Sequence, residues 1–179
     1  MRKQMEDTAK YISENSITSA TDLAESYYFL ASAGLDAQRS IGALAKVEKF
    51  AVAGAFDLQR ATTLLMDSQS ALGLRSKDVA KNTENLIKVS DVLIKANTLA
   101  NATTEQFAAA LTTKSGAALR LLGKDMEEGV AVLATFADQG TKGETAGERL
   151  AIVLRDLQRA AVKKEAAWKK MNMRVFDAR

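Results

Sequence analysis

The sequence predicts an all-α domain of about seven or eight helices, the last of which is long. Proline, the residue most damaging to a helix interior, does not occur among the 179 residues. Good helix formers such as alanine, leucine, lysine and glutamate are abundant instead. Apolar residues recur at spacings of three and four between glycines and N-cap residues, which is typical of half-buried helices. An apolar content of 47% allows them a common core.

The first part of the chain divides into four predicted helices. A short polar helix over 2–15 carries Met5, Ala9 and Ile12 on one side. Three further helices each begin at a side chain that can accept hydrogen bonds from free backbone N–H groups, and each ends at a glycine. The predicted N-cap residue and terminating glycine are Ser19 and Gly34 for the first of these helices, Asp36 and Gly54 for the second, and Asp57 and Gly73 for the third. The helix from Asp36 to Gly54 has an apolar stripe of Ile41, Leu44, Ala45, Val47 and Val52.

The middle of the chain continues in the same way. Ser76 and Asp78 start a helix that runs to about Ala100. Thr103 and Gln106 then have the spacing of a capping box. Two short helices are predicted after this box, one around Phe107 and Leu111, the other from Ala117 to Leu122. A further helix over 126–138 follows Asp125 and ends at Gly140.

The last helix should begin near Gly143 and reach at least Met171. About 28 residues of helix would span roughly 40 Å. Its apolar residues form a narrow stripe at spacings of 4, 3, 4, 7 and 3: Leu150, Leu154, Leu157, Ala161, Trp168 and Met171. Such a stripe suits contact with another helix. We therefore expect Leu157, Ala161, Trp168 and Met171 to meet a second copy of the chain or an assembly partner. The predicted organisation is a lead-in over 1–18, a helical core over 19–141, and a glycine-rich turn with the long basic helix over 142–179.

Basic residues collect on the opposite face of this helix. Residues 142–179 contain ten Lys and Arg against five Asp and Glu, whereas the rest of the chain has fifteen against seventeen. Arg155, Arg159 and Lys163 follow each other at spacings of four, so they share one face. The face can track the phosphates of a nucleic acid, or it can be the solvated outside of the apolar stripe. A nucleic-acid-binding helical module is therefore the alternative function.

A cluster of glycines precedes the same helix. It is not a phosphate-binding P-loop, because the required Gly-x4-Gly-Lys-Ser/Thr spacing is missing. Structural roles account for each glycine better. Gly140 supplies a positive φ at a helix end, and Gly143 lets the chain enter the next helix. Gly147 lies inside that helix and should allow close contact with a neighbouring helix over Ala146 and Gly147.

The sequence contains few residue types that could carry out catalysis. The chain has neither cysteine nor histidine, which excludes thiolate nucleophiles, Cys/His zinc sites and histidine bases. The carboxylates of Asp125, Glu127, Glu128 and Asp138 have no spacing that would fix a metal or a glycoside, and Asp125 is better explained as an N-cap. No run of apolar residues is long enough to span a membrane, and the first residues lack the core of a signal peptide. We therefore expect that the chain is not an enzyme and that it binds no cofactor or metal.

From about Ser19 to Ala178 the chain resembles the conserved core of phage tail tape-measure proteins. The region around the glycine cluster is the most specific part of the likeness, since the family has the pattern Ala-x-x-Gly-x-x-Gly-x-x-Ala-Gly-x-x-Leu there. The matching residues, in order, are Ala137, Gly140, Gly143, Ala146, Gly147 and Leu150. Supporting stretches include 33–36, 56–58, 71–74, 97–107 and 122–128, which agree in the order of helices and glycines.

The resemblance implies a non-enzymatic structural protein of a long-tailed phage or prophage. Such proteins lie as a bundle inside the tail tube, guide assembly of the tube subunits and determine tail length. They are made in the bacterial cytoplasm and end in the virion tail. Their partners are further copies, tail-tube subunits and other tail proteins. The basic face of the last helix adds weak DNA contact as an expectation for this chain. Family members are far longer than this chain, so we expect it to be a segment of a longer protein or a prophage remnant.

Overall fold

In the computed structural model, which describes residues 1–163 and 169–170, the described part of the chain is all-helical and contains no strand. This confirms the predicted fold class. Eight helices follow one another, of which α6 has three consecutive segments. Their bounds are α1 Arg2–Ser13, α2 Ala20–Ser32, α3 Ala37–Gly54, α4 Leu58–Ala71, α5 Val79–Leu99, α6 Thr104–Ala110 with Leu111–Ser115 and Gly116–Leu121, α7 Met126–Asp138 and α8 Gly143–Lys163.

Most helices begin where the sequence places an N-cap. The side chains of Ser19, Asp36, Asp57 and Asp78 each accept a hydrogen bond from a backbone N–H in the first turn of the following helix. Thr103 forms a full capping box with Gln106 at the start of α6. Asp125 occupies the N-cap position of α7 in an extended conformation, but its side chain makes no capping hydrogen bond.

The end of α3 differs from the prediction. The left-handed residue is Ala55, with φ of 55°, and Gly54 belongs to the helix. Gly54 is needed for another reason, because a Cβ at this position would overlap the ring of Phe56. That ring turns back against Phe50, with 5.7 Å between the ring centroids. The glycine therefore leaves space for an aromatic contact that closes the α3–α4 turn.

The two short helices predicted around Phe107 and Ala117 are wrong as separate elements. The backbone stays helical from 104 to 121, and a π-helical turn over Leu111–Ser115 joins the two α-helical segments. The hydroxyl of Ser115 donates a hydrogen bond of 2.8 Å to the carbonyl of Ala110, five residues earlier. This bond supports the wider turn, so a polar stretch that resembles a loop in sequence remains helical.

The helices form three groups around one core. α1, α2 and α3 pack together at one end, α6, α7 and α8 at the other, and α4 and α5 lie between them. The large, fully buried side chains come from α2 to α7: Leu23, Leu30, Leu44, Phe50, Leu65, Met66, Leu86, Leu93, Phe107, Leu111, Leu119 and Leu133. The first half of α8 adds Ala146 and Leu150 to this core. The C-terminal helix α8 therefore packs in the group of helices opposite to α1, α2 and α3.

Candidate interaction surface on the C-terminal helix

The turn between α7 and α8 depends on two glycines with positive φ. Gly140 has a φ of +81° and Gly143 a φ of +59°, values that residues with a Cβ rarely adopt. The N–H of Thr141 reaches back to the carbonyl of Phe136 at 2.8 Å, which pairs a carbonyl left free by the end of α7. Arg149 donates a 2.6 Å hydrogen bond to the hydroxyl of Thr141. The turn is thus tied to the first turns of α8.

The next part of α8 lies directly against the backbone of α6. A Cβ at Gly147 would fall well inside contact distance of the carbonyl oxygen and Cα of Ala110. Ala146 beside it is 1% exposed. The contact occurs at the residue that also accepts the Ser115 hydroxyl, just before the π turn. Gly147 is therefore a position where a side chain is excluded by neighbouring backbone, which cannot move aside as a flexible side chain can.

An ion pair lies at the solvent edge of this contact. The ammonium of Lys114, in the π turn, is 2.8 Å from a carboxylate oxygen of Glu148 in α8. The hydrogen bond from Lys114 and its positive charge lower the pKa of Glu148. Both side chains are at least half exposed, so the pair orients the two helices more than it stabilises them.

Beyond this contact α8 gradually leaves the core. Leu150 is 2% exposed, Leu154 is half-buried against the core, and Leu157 is 44% exposed. Ala161 is buried, but it does not belong to the common core cluster. The stripe predicted from the sequence is thus covered by this domain at its first residues and open at Leu157. Trp168 and Met171, the other two residues of the predicted interface, lie outside the described residues.

The basic residues of α8 share the face turned away from the core. Arg155, Arg159 and Lys163 are all exposed. Arg155 contacts its neighbour Asp156, with 3.0 Å between Nε and a carboxylate oxygen. Two aliphatic side chains, Ile152 and Val162, are exposed among these basic residues at 46% and 74%. The face therefore combines positive charge with apolar surface.

The carboxylates weighed as a catalytic set have structural roles. Glu127 lies 3.0 Å from the ammonium of Lys88, and Glu128 lies 3.3 Å from that of Lys124. Asp138 accepts a 2.9 Å hydrogen bond from the N–H of Asn101, which holds the α5–α6 loop. Within residues 1–163 and 169–170, no group of three or more acidic side chains could hold a metal ion. Over the same residues, none of the helices has both the length and the apolar character needed to cross a membrane.

A family comparison covers nearly the whole chain. The sequence model of the phage-related minor tail proteins matches residues 6–179. The chain belongs to this family. No curated protein and no solved structure shows significant similarity to it. The match identifies a phage tail protein, and it includes the glycine turn, the contact at Gly147 and the whole of α8.

This minor tail protein has a second surface that the sequence did not reveal. Residues at the start of α2, the end of α3 and the start of α4 line an open groove of about 470 Å³. Val52, which the sequence placed on the buried stripe of α3, is 45% exposed at this groove. Ile17, in the α1–α2 loop, is 89% exposed there. Val52 lies seven residues after Ala45 and so shares a face with a residue of the stripe, which means that its spacing gave no signal of the groove.

Proposed function

We propose that this minor tail protein is a structural segment of a tail tape-measure protein, acting in tail assembly and in tail length determination inside the tail tube. The observation that carries the proposal is the joint placement of the six residues that match the tape-measure pattern. Ala137, Ala146 and Leu150 are buried, Gly140 and Gly143 form the turn, and Gly147 contacts α6. The pattern thus corresponds to one packed unit that directs α8.

The direction of α8 suits a segment that contacts other protein chains. Its second half extends past the core and exposes Leu157 together with the basic face. Leu157 is the member of the stripe that is exposed within the described residues, and exposed apolar surface on a helix that leaves the core is typical of a face that another chain covers. We therefore propose self-association through Leu157, Ala161, Trp168 and Met171, and contact with tail-tube and other tail proteins. The site of action is the virion tail, reached after assembly in the host cytoplasm. The chain needs no catalytic group or cofactor for this role.

Lengthening α8 tests the length-determining role. An insertion of about 36 residues, roughly ten helical turns, adds about 54 Å of helix and keeps the faces on both sides aligned. Placed after Gln158, in the exposed half of α8, it leaves the packed half unchanged. Tails of the phage that encodes the chain should then lengthen by about the same amount, as measured by electron microscopy. Tails of unaltered length would contradict the proposal.

A matched insertion controls for general damage. The same segment placed after Asn15, in the loop between α1 and α2, adds the same mass away from α8. It should leave tail length unchanged while tails still assemble. If both insertions lengthen tails equally, length does not depend on the direction of α8.

Substitution of Trp168 tests the self-association. Trp168→Ala removes the largest apolar side chain of the predicted interface. Sedimentation at micromolar concentration should show weaker association, whereas the unfolding transition should change little. A clean monomer whose Trp168 fluorescence is that of a buried residue would contradict the interface.

DNA binding is the second candidate, and the exposed basic face of α8 favours it. Arg155, Arg159 and Lys163 present positive charge along about two turns of helix. A titration with double-stranded DNA at several salt concentrations tests it, because binding through phosphates weakens steeply as salt rises. Loss of binding in Arg159→Glu would support a phosphate contact. Absence of binding at low salt would exclude this candidate.

A further inference from the structure

The groove between α2 and the α3–α4 turn has a defined chemical character. Its walls are apolar at Ile17, Phe29, Val52 and Phe56. Three of its lining side chains, Asp22, Glu25 and Asp57, are acidic, and the remaining ones are neutral. All three carboxylates are exposed. A helix with aliphatic residues set among positive charges would satisfy both the apolar walls and the acidic rim.

Nearby positive charge does not neutralise this rim. Arg60 is the basic residue closest in sequence to Asp57, and its guanidinium pairs with Glu105 on α6. Asp57 itself accepts the 2.7 Å hydrogen bond from the backbone N–H of Arg60, which caps α4 without adding a positive side chain. Asp22 is held by a hydrogen bond of 2.7 Å from the hydroxyl of Ser19. Two of the three carboxylates, Asp22 and Asp57, are thus held in place at the edge of the groove.

The outer face of α8 has the complementary composition. Arg155, Arg159 and Lys163 equal the three carboxylates in number and are opposite to them in sign, with Arg155 also paired to Asp156. Ile152 and Val162 supply exposed aliphatic surface beside them. The five residues recur at spacings of 3, 4, 3 and 1, so they form one continuous strip of helix.

Both surfaces belong to the same chain but to opposite groups of helices. α8 packs on α6 and α7, whereas α2 and α3 form the groove with the start of α4. Since α4 and α5 lie between the two groups, the strip on α8 lies apart from the groove of its own molecule. A second copy of the chain carries the same strip, and the opposite charges of strip and groove favour it as the occupant.

We propose that the basic strip of α8, from Ile152 to Lys163, docks into the acidic groove of a second copy of this chain. The inference rests on the self-association proposed above and adds a contact that uses the face of α8 opposite to Leu157. Groove and strip are different surfaces, so the contact joins copies head to tail. Such a contact repeats from copy to copy and forms a ring or an open chain.

Charge reversal on each side tests the contact in the full 179-residue chain. Glu25→Lys in the groove and Arg159→Glu on α8 should each raise the dissociation constant of self-association by at least about tenfold, because each places like charges in contact. The double variant restores opposite charges and should associate within a few-fold of the parent. Sedimentation at low salt provides the constants, and added salt should weaken the parent.

Two further reversals serve as controls. Asp91→Lys and Lys81→Glu change exposed residues of α5 by the same charge, away from both surfaces. They should leave the dissociation constant within about twofold, since exposed charges act weakly at a distance. Equal loss in these controls would show a net-charge effect and would overturn the docking contact.

Mixing distinguishes head-to-tail docking from a symmetric contact. The groove variant retains an intact strip, and the strip variant retains an intact groove, so a mixture of the two should associate although each variant alone associates weakly. A symmetric contact would give no such rescue. Because the chain has no cysteine, Glu25→Cys and Arg159→Cys can report the same pairing by disulfide formation between molecules. The double-cysteine chain should then form a ladder of linked species.

The outcomes separate this inference from the proposed function. Association that resists both reversals but is lost in Trp168→Ala would place the contact on the apolar stripe, which overturns the docking and leaves the tape-measure proposal standing. Loss of self-association in Leu99→Glu alone would instead assign the contact to the groove between α5 and α7. That result would also overturn the docking and leave the tape-measure proposal standing. A parent chain that stays monomeric at millimolar concentration also overturns the docking. Unchanged tail length after the α8 insertion contradicts the tape-measure role in every case.

Discussion

The two halves of α8 continue one apolar stripe but have different surroundings. In the first half Ala146, Gly147 and Leu150 are buried against α6 and its π turn. In the second half Leu157 is exposed, and the basic residues face solvent. The difference shows that helical periodicity alone does not tell which apolar residues a domain will cover. The packed half fixes the direction of the helix, and the open half carries the surface available to partners.

Truncation of one leucine in each half should show this contrast most strongly. Leu150→Ala should lower the free energy of unfolding by about 2–5 kcal/mol, because it leaves a cavity in a fully packed site. Leu157→Ala should change it by less than about 0.5 kcal/mol, since that side chain is 44% exposed and lies outside the core cluster. Denaturant unfolding at low protein concentration measures both. Equal losses would mean that the domain covers both halves of α8.

Filling the glycine contact should have the next largest effect. Gly147→Leu should lower the free energy of unfolding by about 1–3 kcal/mol, because the new side chain meets the Ala110 backbone. Thr145→Leu is the matched control, since Thr145 is exposed two residues away in the same helix. A Gly147 variant that melts at or above the parent temperature would disprove the close contact.

Substitution at the turn separates backbone strain from steric overlap. Gly140→Ala should lower the free energy of unfolding by about 1–2 kcal/mol through the left-handed conformation alone, because no atom lies within 4 Å of the new Cβ. Gly140→Asn should lower it less, since asparagine tolerates this conformation better. Thermal unfolding of the two variants provides the comparison. Equal losses would show that φ at this turn is not the cause.

The ion pair at the edge of the packed half should produce the smallest effect. Lys114→Met removes the partner that lowers the pKa of Glu148, so this pKa should rise toward its ordinary value. A lowered folded-state pKa stabilises the domain above the ordinary carboxyl range, and this stabilisation disappears as pH falls through the folded-state pKa. The difference between parent and variant should therefore be present at neutral pH and vanish in acid. Carboxyl NMR titration measures the pKa of Glu148, and denaturant unfolding at several pH values measures the stability difference. Lys81→Met is the control, which should leave the pKa of Glu148 unchanged.

The sequence predicted most helix starts because their cause is local. Ser19, Asp36, Asp57, Asp78 and Thr103 each cap the backbone within three residues, so neighbouring residues suffice to recognise them. Ala55 could not be foreseen as the left-handed residue, because its conformation depends on the Phe56 ring turning back toward Phe50. The groove was missed for a related reason, since α2, α3 and α4 form it only after packing.

The candidate interface was predictable in part. Spacing alone identified one apolar and one basic face on α8, and both faces are present in the described part of the helix, up to Lys163. Spacing could not show that Leu157 is left exposed between the half-buried Leu154 and the buried Ala161, because this depends on how the other helices pack against α8. Whether Trp168 and Met171 meet a partner stays a prediction.

The π turn of α6 also sets the phase of its apolar residues. With about 100° per residue, Phe107 and Leu111 lie some 40° apart, but Leu119 would lie about 120° from Phe107 in an uninterrupted α-helix. A π turn takes up one extra residue, which brings Leu119 back to within about 20° of Phe107. All three side chains are accordingly buried. Chain length can therefore vary by one residue within Leu111–Ser115 without turning the following segment away from the core, whereas a deletion elsewhere in α6 rotates that segment.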